Sequence, residues 1–159
     1  MFDAATTAVE AALAAGAHYA DARVVVGRNQ SVEALNGVIE SLGQDESAGV
    51  GVRALIGSSW GFFATADPAG ARAAGEQAAA IARASASVPG AEMPLSDVPV
   101  TEDDYETPHE EDPLAVSLSE RGDLVVEATT AMRAVPGVDL ARAFLSAWDT
   151  EKWFVSSQG

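Results

Sequence analysis

Two histidines, His18 and His109, are the first groups to weigh in this chain of 159 residues, which contains no cysteine. A protein-bound zinc ion needs several ligands that converge in tetrahedral geometry. Neither histidine lies in an H-E-x-x-H arrangement, in which two imidazoles share one helix face. His109-Glu110-Glu111-Asp112 is dense in ligand atoms. Adjacent residues rarely close on one ion without a defined loop, however, and this run sits among prolines, so it reads as an exposed charged stretch. His18 falls between a helix stop and a strand and reads as a surface or capping histidine. Without cysteine there are no disulfides, thiolate nucleophiles or Cys-type zinc and iron–sulfur sites.

Acid–base catalysis by paired carboxylates needs two of them at a defined separation. Glu33, Glu40, Asp45 and Glu46 fall on or between strand patterns, and no spacing marks two as partners. Ser58, Ser59, Ser156 and Ser157 lie at turns or strand ends, with neither a nearby base nor a nucleophile-elbow motif. Gly49-Val50-Gly51-Val52 lacks the Lys-Ser/Thr ending and the strand-to-helix setting of a phosphate loop. Inside a strand pattern, such glycines mark a bulge or a close backbone approach. Arg28-Asn29-Gln30 reads as a polar turn between strands, with an arginine that could touch a partner. The sequence therefore assigns no catalytic, cofactor-binding or metal-ligating residue.

The elements that would position any such groups are legible from periodicity. Residues 3–15 form an Ala-rich helix with Val9 and Leu13 on its apolar stripe, stopped by Gly16. Ala22 to Val26 reads as a short strand. Ser31 to Leu35 and Val38 to Leu42 flank Asn36-Gly37, the strongest hairpin signal in the chain because both residues tolerate positive φ. Gly49 to Ile56 and Ser59 to Thr65 flank Gly57-Ser58, giving a second hairpin. Trp60 and Phe62 are expected as core anchors. Asp67-Pro68 opens a helix that continues over Ala71 to Ala86, with Ala74, Ala78, Ile81 and Ala82 on one face. Gly70 and Gly75 cost helicity that packing must offset.

The next stretch is punctuated by Pro89, Pro94, Pro99, Pro108 and Pro113 and carries the acidic run Glu102-Asp103-Asp104. It reads as a linker wrapping over a surface. Ser119 to Arg133 is expected to be helical, with Leu124, Val125, Ala128 and Met132 inward. Leu140 to Trp148 and Lys152 to Ser156 are expected to form a hairpin around Asp149 to Glu151. Ala20-Asp21-Ala22-Arg23 after the first helix echoes Asp139-Leu140-Ala141-Arg142 after the last, which favours a repeated α–β–β unit. The expected fold is α+β: an antiparallel meander packed against helices in two layers, with a second helix–hairpin unit resembling the first. Its parts are an N-terminal α+β domain (1–87), an acidic Pro-containing linker (88–117) and a second α-β-β unit (118–159), which reads as interrupted at its end.

The formal net charge is -15, from 24 acidic and 9 basic residues. Such a surface repels phosphate backbones, so nucleic acid is not an expected partner. No apolar run reaches spanning length and no basic leader opens the chain, so no membrane partner and a cytoplasmic location are expected.

Taken together, Ala20-Asp21-Ala22-Arg23-Val24, Glu33-Ala34-Leu35-Asn36-Gly37-Val38-Ile39-Glu40-Ser41, Gly49-Val50-Gly51-Val52-Arg53 and Ser59-Trp60-Gly61-Phe62-Phe63-Ala64-Thr65, followed by Ala78 to Ala84 and closed by Ser156-Ser157-Gln158-Gly159, resemble the N-terminal region of the TldD/PmbA family. These metallopeptidases were once described as modulators of DNA gyrase. The resemblance implies an α+β domain that shapes a substrate cleft and a subunit contact. It further implies peptides or unfolded polypeptides as substrates, and homodimers or pairs of related subunits. In the family, zinc is held by an H-E-x-x-x-H helix and a cysteine in the later half. This chain has neither, so no catalytic residue carries over, and no cofactor is expected within it. Zinc is expected in a missing C-terminal part, the remainder of the same polypeptide. The competing expectation is a stand-alone structural or peptide-binding module without hydrolytic activity.

Overall fold

The computed structural model describes residues 1–88, 91, 95–96 and 99–158. Of the residues read as linker punctuation, Pro89 and Pro94 lie outside this set, as does Gly159. The elements are α1 (Phe2–Ala14), β1 (Tyr19–Leu35), β2 (Val38–Ile56), β3 (Ser59–Thr65), α2 (Ala71–Ser85), α3 (Leu118–Arg133) and β4 (Arg142–Ser156). The strands form one sheet in the order β3-β2-β1-β4. β2 and β3 are antiparallel, with Arg53 opposite Phe62 and Ala54 opposite Gly61. Ser157 donates to the Ala20 carbonyl, whereas Asn36 donates to that of Ala141, so β4 also runs antiparallel to β1. The fold is α+β, as the periodicity implies.

The strands are longer than their sequence patterns suggest. Arg28-Asn29-Gln30 is not a turn: it lies within β1, where Arg28 forms a 2.6 Å ion pair with Asp149 and Asn29 donates to Asp45. Asp149 to Glu151 likewise forms no hairpin, and Arg142 to Ser156 is a single strand. Cross-strand pairs between charged side chains let polar residues continue a strand. The segment also lacks the Gly or Asn that a tight reversal requires. Both expected tight turns are present, with Asn36 at φ 51°, Gly37 at φ 84° and Gly57 at φ 59°.

The chain divides into two compact units, one of Met1–Val26, Ser47–Tyr105 and Glu151–Gly159, the other of Gly27–Glu46 and Glu106–Thr150. In the first unit, α1 and α2 cover one face of the sheet. Ala8, Val9 and Ala12 of α1, Ala74 and Ala78 of α2, and Ala22, Val24, Val50, Val52 and Ala54 of the strands belong to one buried cluster. Leu13 and Ile81, read as inward, are 37% and 40% exposed, because the buried stripes are built of smaller residues. Alanine and glycine here permit backbone-to-backbone approach. A β-carbon on Gly75 would lie 2.1 Å from the Ala8 carbonyl oxygen, so its helical cost is offset where α1 meets α2. Asp67 accepts from the Ala69 amide and caps the short 3-10 turn that leads into α2.

In the second unit α3 packs its Val125 against Val32 and Ala34, flanked by Ile39, Leu118 and Leu145. Its buried positions are Arg121, Gly122, Val125 and Thr129, one step round from the expected stripe, and Leu124 and Met132 are exposed. Thr129 is tolerated in the interior because its hydroxyl is fully engaged. It donates toward the Val125 and Val126 carbonyls and accepts from the Gly37 amide at 3.0 Å. Ser117 and Glu120 form a reciprocal capping box at the start of α3. Residues 99–112 are exposed and carry no helix or strand. Among the described residues no helix is long and apolar enough to cross a membrane.

Candidate functional site on the open face of the sheet

Strand alternation divides the side chains of the first unit between two faces. The helix-covered face takes Ala20, Ala22 and Val24 from β1 and Val50, Val52 and Ala54 from β2. The opposite face carries Asp21 and Arg23 of β1, Arg53 of β2, and Trp60 and Phe62 of β3. With Gly49, Gly51 and Thr65, several of these line a shallow cleft of about 320 Å³.

Its polar centre is an ion pair. Asp21 is 1% exposed. It accepts from Nε of Arg53 at 3.0 Å, from Nη2 at 2.6 Å and from the Tyr19 hydroxyl at 3.1 Å. A buried carboxylate without such partners would be costly. Bonding to Asp21 raises the arginine pKa further, and burial, reinforced by the neighbouring Asp21 charge, raises that of Tyr19. The Arg53 guanidinium also lies over Trp60, 5.3 Å from the ring centroid, and Trp60 meets Tyr19 edge to face at 5.7 Å. Arg23 lies over Phe154 of β4 at 5.0 Å.

This arrangement offers guanidinium donors and aromatic faces. Asp21 is committed to Arg53, and Tyr19 stays protonated through neutral pH, so neither serves as a base. Trp60 and Phe62 are not core anchors: Phe62 is 61% exposed and both face away from the helices. The residues of that strand on the helix side are Gly61 and Phe63. The signal for this face lay in the alternation Ala20-Asp21-Ala22-Arg23-Val24, small residues at even positions and charges at odd ones.

The histidines, strand carboxylates and turn serines are scattered. His18 donates its backbone amide to Leu55, and His109 is exposed beside Glu106 at 3.9 Å. Glu33 pairs with Arg142 at 3.0 Å. The Ser157 hydroxyl accepts from the Ala20 amide. Gly49 and Gly51 lie within β2 and cradle no phosphate turn. Among the described residues no three His, Asp or Glu side chains gather where an ion could be held, so these residues do not fit a zinc centre.

Residues 20–82, which hold most of α2 and the residues lining this cleft, match the family described as PmbA/TldA metallopeptidase domain 1. That stretch is similar to the first domain of this family. Three solved structures share the fold. TldE from Thermococcus kodakarensis superposes with a TM-score of 0.71 at 16% identity, over 98% of this chain and 35% of its own. A candidate modulator of a DNA gyrase from Thermotoga maritima gives 0.72 at 14% identity, over 99% and 35%. A similarly described protein from Bacteroides thetaiotaomicron gives 0.72 at 14%, over 99% and 36%. The chain thus spans about a third of the length of the structures it matches. No curated protein matches it in sequence.

Proposed function

We propose that this chain is the non-catalytic first part of a PmbA/TldD-type zinc metallopeptidase that acts on peptides or unfolded polypeptides. The family match over residues 20–82 carries this reading. It is supported by the open cleft, which offers binding groups without a nucleophile or base. In this reading the chain bounds the substrate cleft and contributes to a contact with an identical or related subunit. The metal and hydrolytic groups belong to the remainder of the polypeptide, and the assembly works in the cytoplasm. The test is to assay the purified 159-residue chain with added zinc against a mixed peptide library, then to repeat the assay with the polypeptide encoded downstream. Hydrolysis is expected only when a downstream H-E-x-x-x-H segment is present. Metal-dependent hydrolysis by the 159 residues alone would sink the assignment.

A second reading rests on β4, a strand of 15 residues at the edge of the sheet. One side of such a strand can pair with an added extended peptide. A stand-alone peptide-binding module would use it directly. Binding of unfolded peptides by the purified chain, with protection of β4 amides from exchange, supports this reading. Binding without that protection argues against it.

A further inference from the structure

The open face of the first unit holds a charge pattern opposite to that of the molecule as a whole. The chain carries -15, yet this face presents Arg23 and Arg53 against one buried carboxylate, Asp21. The ion pair uses Nε and Nη2 of Arg53, so Nη1 lies outside it, and the plane of the guanidinium is fixed by the bonds to Asp21. An arginine held in this way, with an aromatic ring against one face, presents donors that suit a carboxylate. The Arg23 guanidinium is likewise placed over a ring, that of Phe154. Gly49 and Gly51 lie without side chains along the cleft, and the exposed ring of Phe62 borders it.

We propose that this face is a docking surface for an acidic, extended polypeptide segment, whose carboxylates meet Arg23 and Arg53 and whose apolar side chains rest on Phe62 and Phe154. The proposal builds on the reading of the chain as part of a protein that handles polypeptides. It adds a preference for acidic sequence and a location for it. Charge complementarity selects the occupant. A cationic segment would meet two guanidinium groups here, and a long phosphodiester polymer would carry its charge past the two arginines onto the acidic remainder of the surface, which a short segment with two carboxylates does not. In an extended chain alternate residues share a face about 7 Å apart, so one segment can present two carboxylates and an apolar group together.

The test is fluorescence anisotropy with the 159-residue chain at near-physiological ionic strength, where distant charges are screened. The probe is an end-blocked heptapeptide with glutamate at positions two and four, leucine at six and serine elsewhere. Counterparts carry glutamine or lysine in place of glutamate. The acidic probe is expected to bind about fivefold or more tightly than the glutamine one, with the lysine probe weakest. Arg23→Gln should abolish that difference, and Phe62→Ala should weaken all three probes. Both side chains are exposed, so the fold should survive, as circular dichroism would verify. Equal affinity for the acidic and glutamine probes would overturn the acidic preference while leaving peptide binding intact. Acidic binding unchanged by Arg23→Gln would overturn the location. Absence of saturable binding by every probe would overturn the docking surface, whereas the zinc-dependent assay would still decide the peptidase reading.

Discussion

Gly61 of β3 faces the α2 backbone so closely that a β-carbon there would stand 2.0 Å from the Ala78 carbonyl oxygen. It would also lie 2.4 Å from the Ala82 amide nitrogen. Helix and strand meet main chain to main chain, with no flexible side chain to give way. Gly61→Ala must therefore move α2, and overpacking of this kind costs about 1–3 kcal/mol or more. Chemical denaturation should show the loss. Gly51→Ala is the control, because its β-carbon would meet only the Phe62 ring at 3.4 Å, and near-neutral stability is expected.

Asp21 and Arg53 are unequal partners, one buried and the other half exposed. Removing the arginine strands a buried carboxylate, which costs about 3 kcal/mol or more. Asp21→Asn leaves a guanidinium that water can reach, and about 1–2 kcal/mol is expected. Denaturation midpoints of Arg53→Met and Asp21→Asn should fall in that order, with Arg53→Met the less stable.

Tyr19 supplies a pH-dependent counterpart. Burial first, then Asp21, raises its pKa above the ordinary phenol value. A raised folded-state pKa means that the associated stability is complete below the unfolded-state value near 10 and is lost as pH climbs through the folded one. Ultraviolet titration should find one tyrosine ionising late. Asp21→Asn should bring it earlier without full normalisation, since desolvation remains.

At the start of α3, hydrogen bonds from Ser117 lower the Glu120 pKa. The sign is opposite: the stabilisation is present above the unfolded glutamate pKa and fades as pH falls through the lowered one. Thermal melts of Ser117→Ala should show a midpoint a few degrees lower near neutrality. The difference from the parent chain should shrink in acid.

Thr129 ties the β1–β2 turn to α3, accepting from Gly37 while donating within its own helix. Thr129→Val keeps the shape but leaves that amide without its acceptor, at a cost of about 1–3 kcal/mol. Hydrogen exchange should show faster opening at Gly37 than elsewhere in the hairpin.

Much of this architecture was legible because its signals are local. Asn36-Gly37 and Gly57-Ser58 announce their turns through conformations that few residues adopt, and the Ala-rich runs announce helices. What was not legible depends on partners distant in sequence. Arg28 continues a strand because Asp149 lies across from it, and Asp149 does so for the same reason. Trp60 and Phe62 belong to the open face because Gly61, between them, is the residue on which α2 rests. The candidate site was harder still. Asp21 and Arg53 look like ordinary strand charges until the sheet brings together two residues 32 positions apart. The capping box at Ser117 and Glu120, by contrast, was present as a local S-x-x-E signal ahead of an apolar run.

The neighbours of β1 in the sheet are β2, made almost at once, and β4, made last. Between Leu35 and Arg142 lie 106 residues (142 − 35 − 1). At a synthesis rate of about 5–20 residues per second, roughly 5–20 s pass on the ribosome before β4 can dock. During that interval a 17-residue strand holds one edge open, with Val24, Val32 and Ala34 close to it. Until β4 is made, the nascent hairpin therefore presents an unpaired strand edge open to wrong pairing.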